Sequence, residues 1–227
     1  MPTLQRESYD AEADGMNRIV ISAREILENF PGEYYNQLWM TVTIKLFQRE
    51  IFSHLRFREG IIYEDEDIFP QMLHNAHKIT IVPMHLYNYT LSDGSIMRSS
   101  FTAKRDMVLG IWHRHVEFFH KLNLLKSRDY YAVKYIYTMV DMYRITYSEH
   151  PELKSALEPY IKEFCKFKRF IRKNCQLSKM QKVLMAVFPA FPGVAIRLHK
   201  RKEVISWQHK ANFTLLQVNW LNYLEYQ

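Results

Sequence analysis

The stretch RFREGIIYEDEDIFPQMLHNAHKITI, Arg56 to Ile81, decides how the chain is read. Gly60 punctuates it, four consecutive carboxylates run from Glu64 to Asp67, and an apolar run from Ile68 to Leu73 follows. Acidic residues gather at helix starts because aligned peptide dipoles leave partial positive charge there, each carboxylate gaining roughly 0.3–1 kcal/mol. The reading is a Gly-led turn and then a helix opening at DEDIFPQMLHNAH. Beyond it, KITIVPMHLYNYTL alternates and is rich in β-branched residues. That pattern predicts a short strand pair, or a strand followed by an extended segment, with Pro83 at an edge or bend.

Upstream, the first 18 residues are polar and aperiodic and read as a flexible N-terminus. VISAREILENF reads as a helix, with Ser22 as N-cap, Glu25 as its capping-box partner, and Ile26, Leu27 and Phe30 as the apolar face. Pro31-Gly32 stops it. YYNQLWMTVTIKLFQREIFSHL is apolar at Leu38, Trp39, Val42, Leu46, Phe47 and Ile51, which reads as mostly helical, although Thr41 to Ile44 favours a strand.

Downstream of Thr102 the pattern is helical. AKRDMVLGIWHRHVEFFHKL places Val108, Ile111, Trp112, Val116 and Phe119 on one side, and DYYAVKYIYTMVDMYRITY does the same with Val133, Ile136, Val140 and Tyr143. The aromatics from Tyr130 to Tyr147 read as core. PELKSALEPYIKEFCKFKRFIRKN opens with Pro151 at a helix N1 position, and the apolar stretch after Asn174 is broken at Pro189, Pro192 and Gly193. His113 and His115, two apart on a helix, face different ways and make a poor metal pair, while His74 and His77 read as surface residues. The fold class is α+β and mostly helical, a short strand pair followed by a C-terminal helical region.

Composition sets the limits around this. The chain has 227 residues, 48% of them hydrophobic and 15% aromatic, enough to bury a sizeable core. Six glycines and eight prolines are too few for long linkers or a turn-rich all-β design. Cys165 and Cys175 stand without a C-x-x-C or ligand-spaced histidine, which argues against a disulfide framework or a zinc site and fits a reducing cytoplasm. Neither a signal peptide nor an uncharged apolar run of about 18 residues is expected to carry the chain into the secretory route or across a membrane.

The order of pieces carries a resemblance. IKLFQREIF, LRFREGIIYEDEDIF, HNAHKITIVPMHLYNY and GSIMRSS follow one another between about Ser22 and Ser100, and this order resembles the second half of bacterial family 2 glycosyltransferases. The resemblance implies a partial GT-A-like scaffold and an inverting sugar transfer from a nucleotide-sugar donor to a surface polysaccharide or lipid-linked acceptor. It implies Asp65 as the catalytic base, with Glu64 or Glu66 as its positioning neighbour in the catalytic motif, and Trp39, Glu66 and Arg98 as substrate-binding residues. At helical spacing a tryptophan is more often core, and stacking on a sugar face is the alternative reading of Trp39; Arg98 would substitute as a phosphate contact. Asp65-Glu66-Asp67 spells D-x-D, but the family's metal motif lies well upstream of this place. Mg2+ or Mn2+ would accompany the nucleotide sugar on ligands outside this chain, none of the site residues being metal ligands. Two departures stand out: extra residues separate Trp39 from Lys45, and Thr90 stands where the family often has an arginine. Since the family's opening strand and metal motif are not found here, the nucleotide-binding half is expected to be missing.

The charge is unevenly distributed. Between Lys162 and Lys210 stand 13 Lys/Arg against two acids, while the rest of the chain carries 18 against 22. Cations interleaved with Phe164, Phe167, Phe170, Ile171, Leu184, Phe188 and Phe191 fit an amphipathic element on an anionic membrane surface. A merely solvated basic face is the plain alternative, and no nucleic-acid motif accompanies the charge. The organisation read from these features is 1–18 N-terminus, 19–101 partial acceptor-side domain, 102–161 helical region, 162–207 basic membrane-surface segment and 208–227 uncertain tail. The localisation that follows is cytoplasmic, peripheral at the inner face of the plasma membrane. The rival to an enzyme is a non-catalytic helical basic module that binds membrane or a partner subunit.

Overall fold

The computed structural model describes residues 19–29, 40–81, 107–148 and 151–200. Helix predominates among them, beside one two-stranded antiparallel sheet. Strand β1 (Ile19–Ser22) runs directly into helix α1 (Ala23–Asn29), and helix α2 (Glu64–Asn75) is followed by strand β2 (Lys78–Ile81). The strands pair in the register Ile19 to Ile81, Val20 to Thr80, Ile21 to Ile79 and Ser22 to Lys78. The helical region comprises α3 (Met107–Lys121), α4 (Leu125–Ser148), α5 (Lys154–Asn174), α6 (Lys179–Val187) and α7 (Pro192–Lys200).

The strand pair is present, but its composition differs from the expectation. Lys78–Ile81 pairs with the residues before α1, so Val20 and Ile21, read as the start of the helix, are strand, and α1 begins at Ala23, directly after Ser22. Three β-branched residues, Ile19, Val20 and Ile21, favour the extended backbone, and the partner strand gives it a ladder to join. At the junction the Ala23 N–H donates to the His77 carbonyl at 3.2 Å.

A second correction concerns Met40 to Leu55, which was expected to be mostly helical. Instead there are two 3-10 turns, Val42–Ile44 and Arg49–Phe52, separated by extended residues. The run Thr41 to Ile44 is β-branched throughout, and stiff χ1 angles disfavour a long α-helix there. Pro151 opens a 3-10 turn, Pro151–Leu153, and the α-helix starts three residues later at Lys154. The residues from Tyr34 to Trp39 lie outside those described, as do the MHLYNYTL and GSIMRSS pieces.

Helices α3 and α4 form an antiparallel hairpin whose turn is set by Asn123, in the left-handed region at φ 57°. Its N–H donates to the His120 carbonyl at 3.0 Å, and the Leu124 N–H reaches back to the Phe119 carbonyl at 2.8 Å. Both carbonyls would otherwise lack partners at the end of α3, and Asn tolerates the conformation better than most residues. Buried Leu124 then packs near buried Phe119, closing the corner.

The expected apolar face of α3 is buried at Val108, Ile111, Trp112, Val116 and Phe119. On α4, Ile136, Val140 and Tyr143 are buried, with Val133 packed partly against the core. Tyr131 and Tyr135 are fully enclosed: Phe119 stacks on Tyr131 at 5.5 Å between centroids, and Phe164 stacks on Tyr135 at 5.9 Å. Helix α1 joins this core through Ile26 and Leu27, and the Ser127 hydroxyl donates to the Leu27 carbonyl near the end of α1.

Helices α5, α6 and α7 pack on α4. The phenylalanine row expected to face a membrane lies mostly inside the protein: Phe164, Phe167, Ile171, Leu184 and Phe188 are buried, and Phe170 is half-buried. Only Phe191 of that row is exposed, at 65%. The outer face of α5 keeps the cations, with Lys162, Lys166, Arg169, Arg172 and Lys173 exposed. Helix α6 starts with a capping box, the Gln181 N–H donating to Ser178 Oγ while the Ser178 N–H donates to Gln181 Oε1 at 2.8 Å. Cys165 is exposed and Cys175 buried, and both are free thiols. No helix among the described residues is long and apolar enough to cross a membrane.

Candidate active site at the start of helix α2

The four carboxylates form the first turn of α2, as the sequence predicts. What precedes the turn is strained. Gly60 takes φ 74°, which glycine adopts freely, but Tyr63 at the N-cap takes φ 65°, a left-handed conformation costing about 1–2 kcal/mol for a residue with a side chain. Such strain persists only where surrounding contacts over-determine the backbone, and it gathers at functional sites.

Those contacts come from the neighbouring carboxylates, which the helix turns in different directions. Glu64 is exposed and Asp65 is half-buried, whereas Glu66 and Asp67 are buried. Asp67 Oδ1 accepts from Arg114 Nε at 2.9 Å and Nη2 at 2.5 Å, fastening α2 to α3, and Arg58 Nε lies 3.4 Å from Oδ2. Glu66 Oε1 is 3.5 Å from both Lys134 Nζ and the Tyr131 hydroxyl on α4. Lys134 in turn sits over the Trp112 ring at 3.7 Å from its centroid. Burial raises the Glu66 pKa, and Lys134 opposes the rise. Glu66 and Asp67 therefore fix the first turn from two sides.

Pro70 lies inside α2 and has no N–H to offer the Glu66 carbonyl four residues back. Beside that gap, buried His115 on α3 brings Nε2 to 3.4 Å from the Asp67 carbonyl and so adds a contact from α3 to the same turn. Burial, reinforced by Lys134 and Arg114, pushes its pKa down to about 3, so at neutral pH it is uncharged and donates through Nε2.

Asp65 is left facing elsewhere. Its Oδ1 accepts the Glu66 N–H at 2.8 Å, and Lys45 lies within Coulombic reach. Burial raises the Asp65 pKa, as does Glu64, while the Glu66 amide and Lys45 hold it down. Lys45 is itself pushed down to about 8 by burial, against the pull of Asp65, and its ammonium donates to the Thr41 carbonyl.

The segment from Lys45 to Arg58 runs out and back along the flank of α2. It leaves Asp65 at Lys45, reaches the far end where Asn75 Nδ2 donates to the Ile51 carbonyl at 3.0 Å, and returns to Asp67 at Arg58. Residues Arg49, Phe52, Arg56 and Phe57 line an open depression of about 600 Å3 in this segment. Phe47, Phe52 and Phe57 form a continuous aromatic strip, with centroids 5.4 and 5.9 Å apart.

Of the residues singled out in sequence, Glu64, Asp65 and Glu66 share the first turn of α2, while Trp39 and Arg98 lie outside the described residues. His74 and His77 are exposed. Sequence reasoning missed Lys45, Arg58, Arg114, Tyr131 and Lys134. The only local hint was a set of cations within apolar helices, and nothing in the spacing says which carboxylate each one meets. Among the described residues no cluster of His, Cys, Asp or Glu could hold a metal ion. The D-x-D spelling does not fit one either, because a guanidinium already occupies each oxygen of Asp67.

Against known proteins, the chain is 29% identical over 92 residues to Glycosyltransferase GlyG of Streptococcus pneumoniae serotype 4, a stretch covering 39% of this chain. That likeness relates the chain to a glycosyltransferase. The match takes in 31% of GlyG, so the chain spans about a third of that relative's length. No protein-family model and no solved structure matches the chain.

Proposed function

We propose that this chain is the acceptor-side part of an inverting glycosyltransferase of the family 2, GT-A type, with Asp65 as the general base. The observation that carries the reading is the inequality among the four carboxylates. Glu66 and Asp67 are tied to cations on α3 and α4, and Asp65 is held half-buried at a strained helix start with a cation beside it.

In the proposed reaction the acceptor hydroxyl gives its proton to an Asp65 oxygen as its oxygen attacks the anomeric carbon of a nucleotide sugar. The new C–O bond forms as the bond to the nucleoside diphosphate breaks on the opposite face, with inversion. A positioned base contributes typically about 10²–10⁴-fold to such a step. Burial raises the Asp65 pKa most, with Glu64 adding to the rise and Lys45 opposing it. The aromatic strip and the arginines of the flanking depression offer a surface for a glycan chain. Mg2+ or Mn2+ would come with the donor on residues outside this chain, and no step is assigned to it. The acceptor we favour is a lipid-linked or surface polysaccharide at the inner face of the plasma membrane, the donor half being supplied elsewhere.

The test is nucleotide-sugar turnover by the chain together with a donor-binding half, comparing Asp65→Asn with wild type. A loss of at least about 100-fold with unchanged thermal unfolding is expected. Turnover equal to wild type would remove Asp65 as base, and no turnover from any combination would leave the non-catalytic basic module.

A further inference from the structure

The elbow between α6 and α7 points to a membrane-inserting knuckle. Helix α6 ends at Val187, the chain turns through Phe188 to Phe191, and Pro192 restarts a helix whose first amides, those of Val194 and Ala195, donate to the Phe191 carbonyl at 3.0 and 3.1 Å. Proline suits that first helical position because its missing N–H would be unsatisfied anyway. On the inner side of this elbow Leu184, Met185, Phe188 and Ala195 are buried. On the outer side an apolar group stays in solvent, Phe191 at 65%, Val194 at 49% and Val183 at 44%, with Ala186 and Ala190 between them. Lys179, Lys182 and Arg197 are exposed on the same two helices. No Asp or Glu occurs from Phe164 to Lys202.

We infer that this elbow docks on an anionic phospholipid surface, with Phe191, Val194 and Val183 entering the acyl boundary and the flanking cations meeting the headgroups. The charge selects the occupant. A second copy of the chain would bring the same positive rim. Residues 201–227 carry three Lys/Arg against two acids and so bring no counter-charge. A nucleic acid would supply negative charge but no apolar environment for valine and phenylalanine, whereas an anionic bilayer supplies both. The inserted face is therefore not the phenylalanine row of α5, which the core occupies. The inference deepens the proposed lipid-linked acceptor, but its readout is binding alone. Vesicle binding by the chain, with no turnover from any combination with a donor-binding half, would sink the proposed function and leave the knuckle standing.

The experiment is co-sedimentation of the full chain with phosphatidylcholine vesicles, with and without about one-third phosphatidylglycerol. Binding to the anionic vesicles that weakens as salt rises from about 0.1 to 0.5 M is expected. Replacing Phe191 and Val194 by Ser should weaken it about 10-fold or more with unchanged circular dichroism, and Phe191→Trp should retain it. Equal binding to neutral vesicles, no binding to either, or full binding by the double Ser variant would overturn the inference. So would binding lost on removing residues 203–227 but kept by the double Ser variant, which would make that tail the lipid-binding element.

Discussion

Asp67 and Arg114, 47 residues apart in the chain, meet through one carboxylate oxygen held by two guanidinium nitrogens at 2.9 and 2.5 Å. This contact fixes the direction in which the first turn of α2 points, and with it the placement of Asp65. Removing one partner of a mostly buried, hydrogen-bonded pair leaves the other charge uncompensated. Arg114→Ala should cost roughly 2–3 kcal/mol in urea unfolding. The double variant with Asp67→Asn should recover part of that loss, and strictly additive costs would show that the pair is not coupled.

Turnover should respond to the charge around Asp65 in opposite senses. A base must be ionised, and the Asp65 pKa is raised by burial, so the rate should fall on acidification at a higher pH than an exposed aspartate would give. Lys45→Met removes the opposing cation and should move that acidic limb further up. Glu64→Gln removes a like charge and should move it down. The pH profile of kcat/KM checks both, and shifts of the same sign in the two variants would exclude this electrostatic arrangement.

Stability should also carry the signature of His115. Its pKa is about 3 in the fold against 6.5 when solvated, so the unfolded chain binds the extra proton first. The contribution is complete above about pH 6.5 and declines as pH falls towards 3, by roughly 1.4 kcal/mol per unit. Between pH 6.5 and 5 the wild type should lose roughly 2 kcal/mol more than His115→Gln in denaturant unfolding. Parallel losses in the two proteins would contradict the buried neutral imidazole.

Phe119 is fully enclosed and stacked on Tyr131 at the hairpin corner. Phe119→Ala should cost about 3–5 kcal/mol by cavity formation. Ser178→Ala, which opens the exposed capping box of α6, should cost only about 1 kcal/mol. Chemical denaturation of the two variants distinguishes a core whose packing is as tight as described from one that relaxes.

The helical periodicity of α3 and α4 was legible because their buried residues recur every three or four positions, and the start of α2 was legible because four carboxylates mark it. The strand at Ile19 was concealed by a capping-box pattern at Ser22 and Glu25. Only the position of Lys78–Ile81 in space makes an extended backbone the better solution there. Likewise, the sequence singles out the acidic run but cannot rank its members. Asp67 and Glu66 differ from Asp65 because Arg114 and Lys134 arrive from helices remote in sequence. The phenylalanines of α5 read equally well as core or as a lipid-facing row, because amphipathicity says that a face is covered and not by what.

Tyr63 is caught between two demands. Its backbone sits where a glycine would rest without strain, yet its ring packs against the core. A lineage that relaxed the bend by dropping the side chain would empty the space that the ring fills, so the position should keep an aromatic residue despite its dihedral angle.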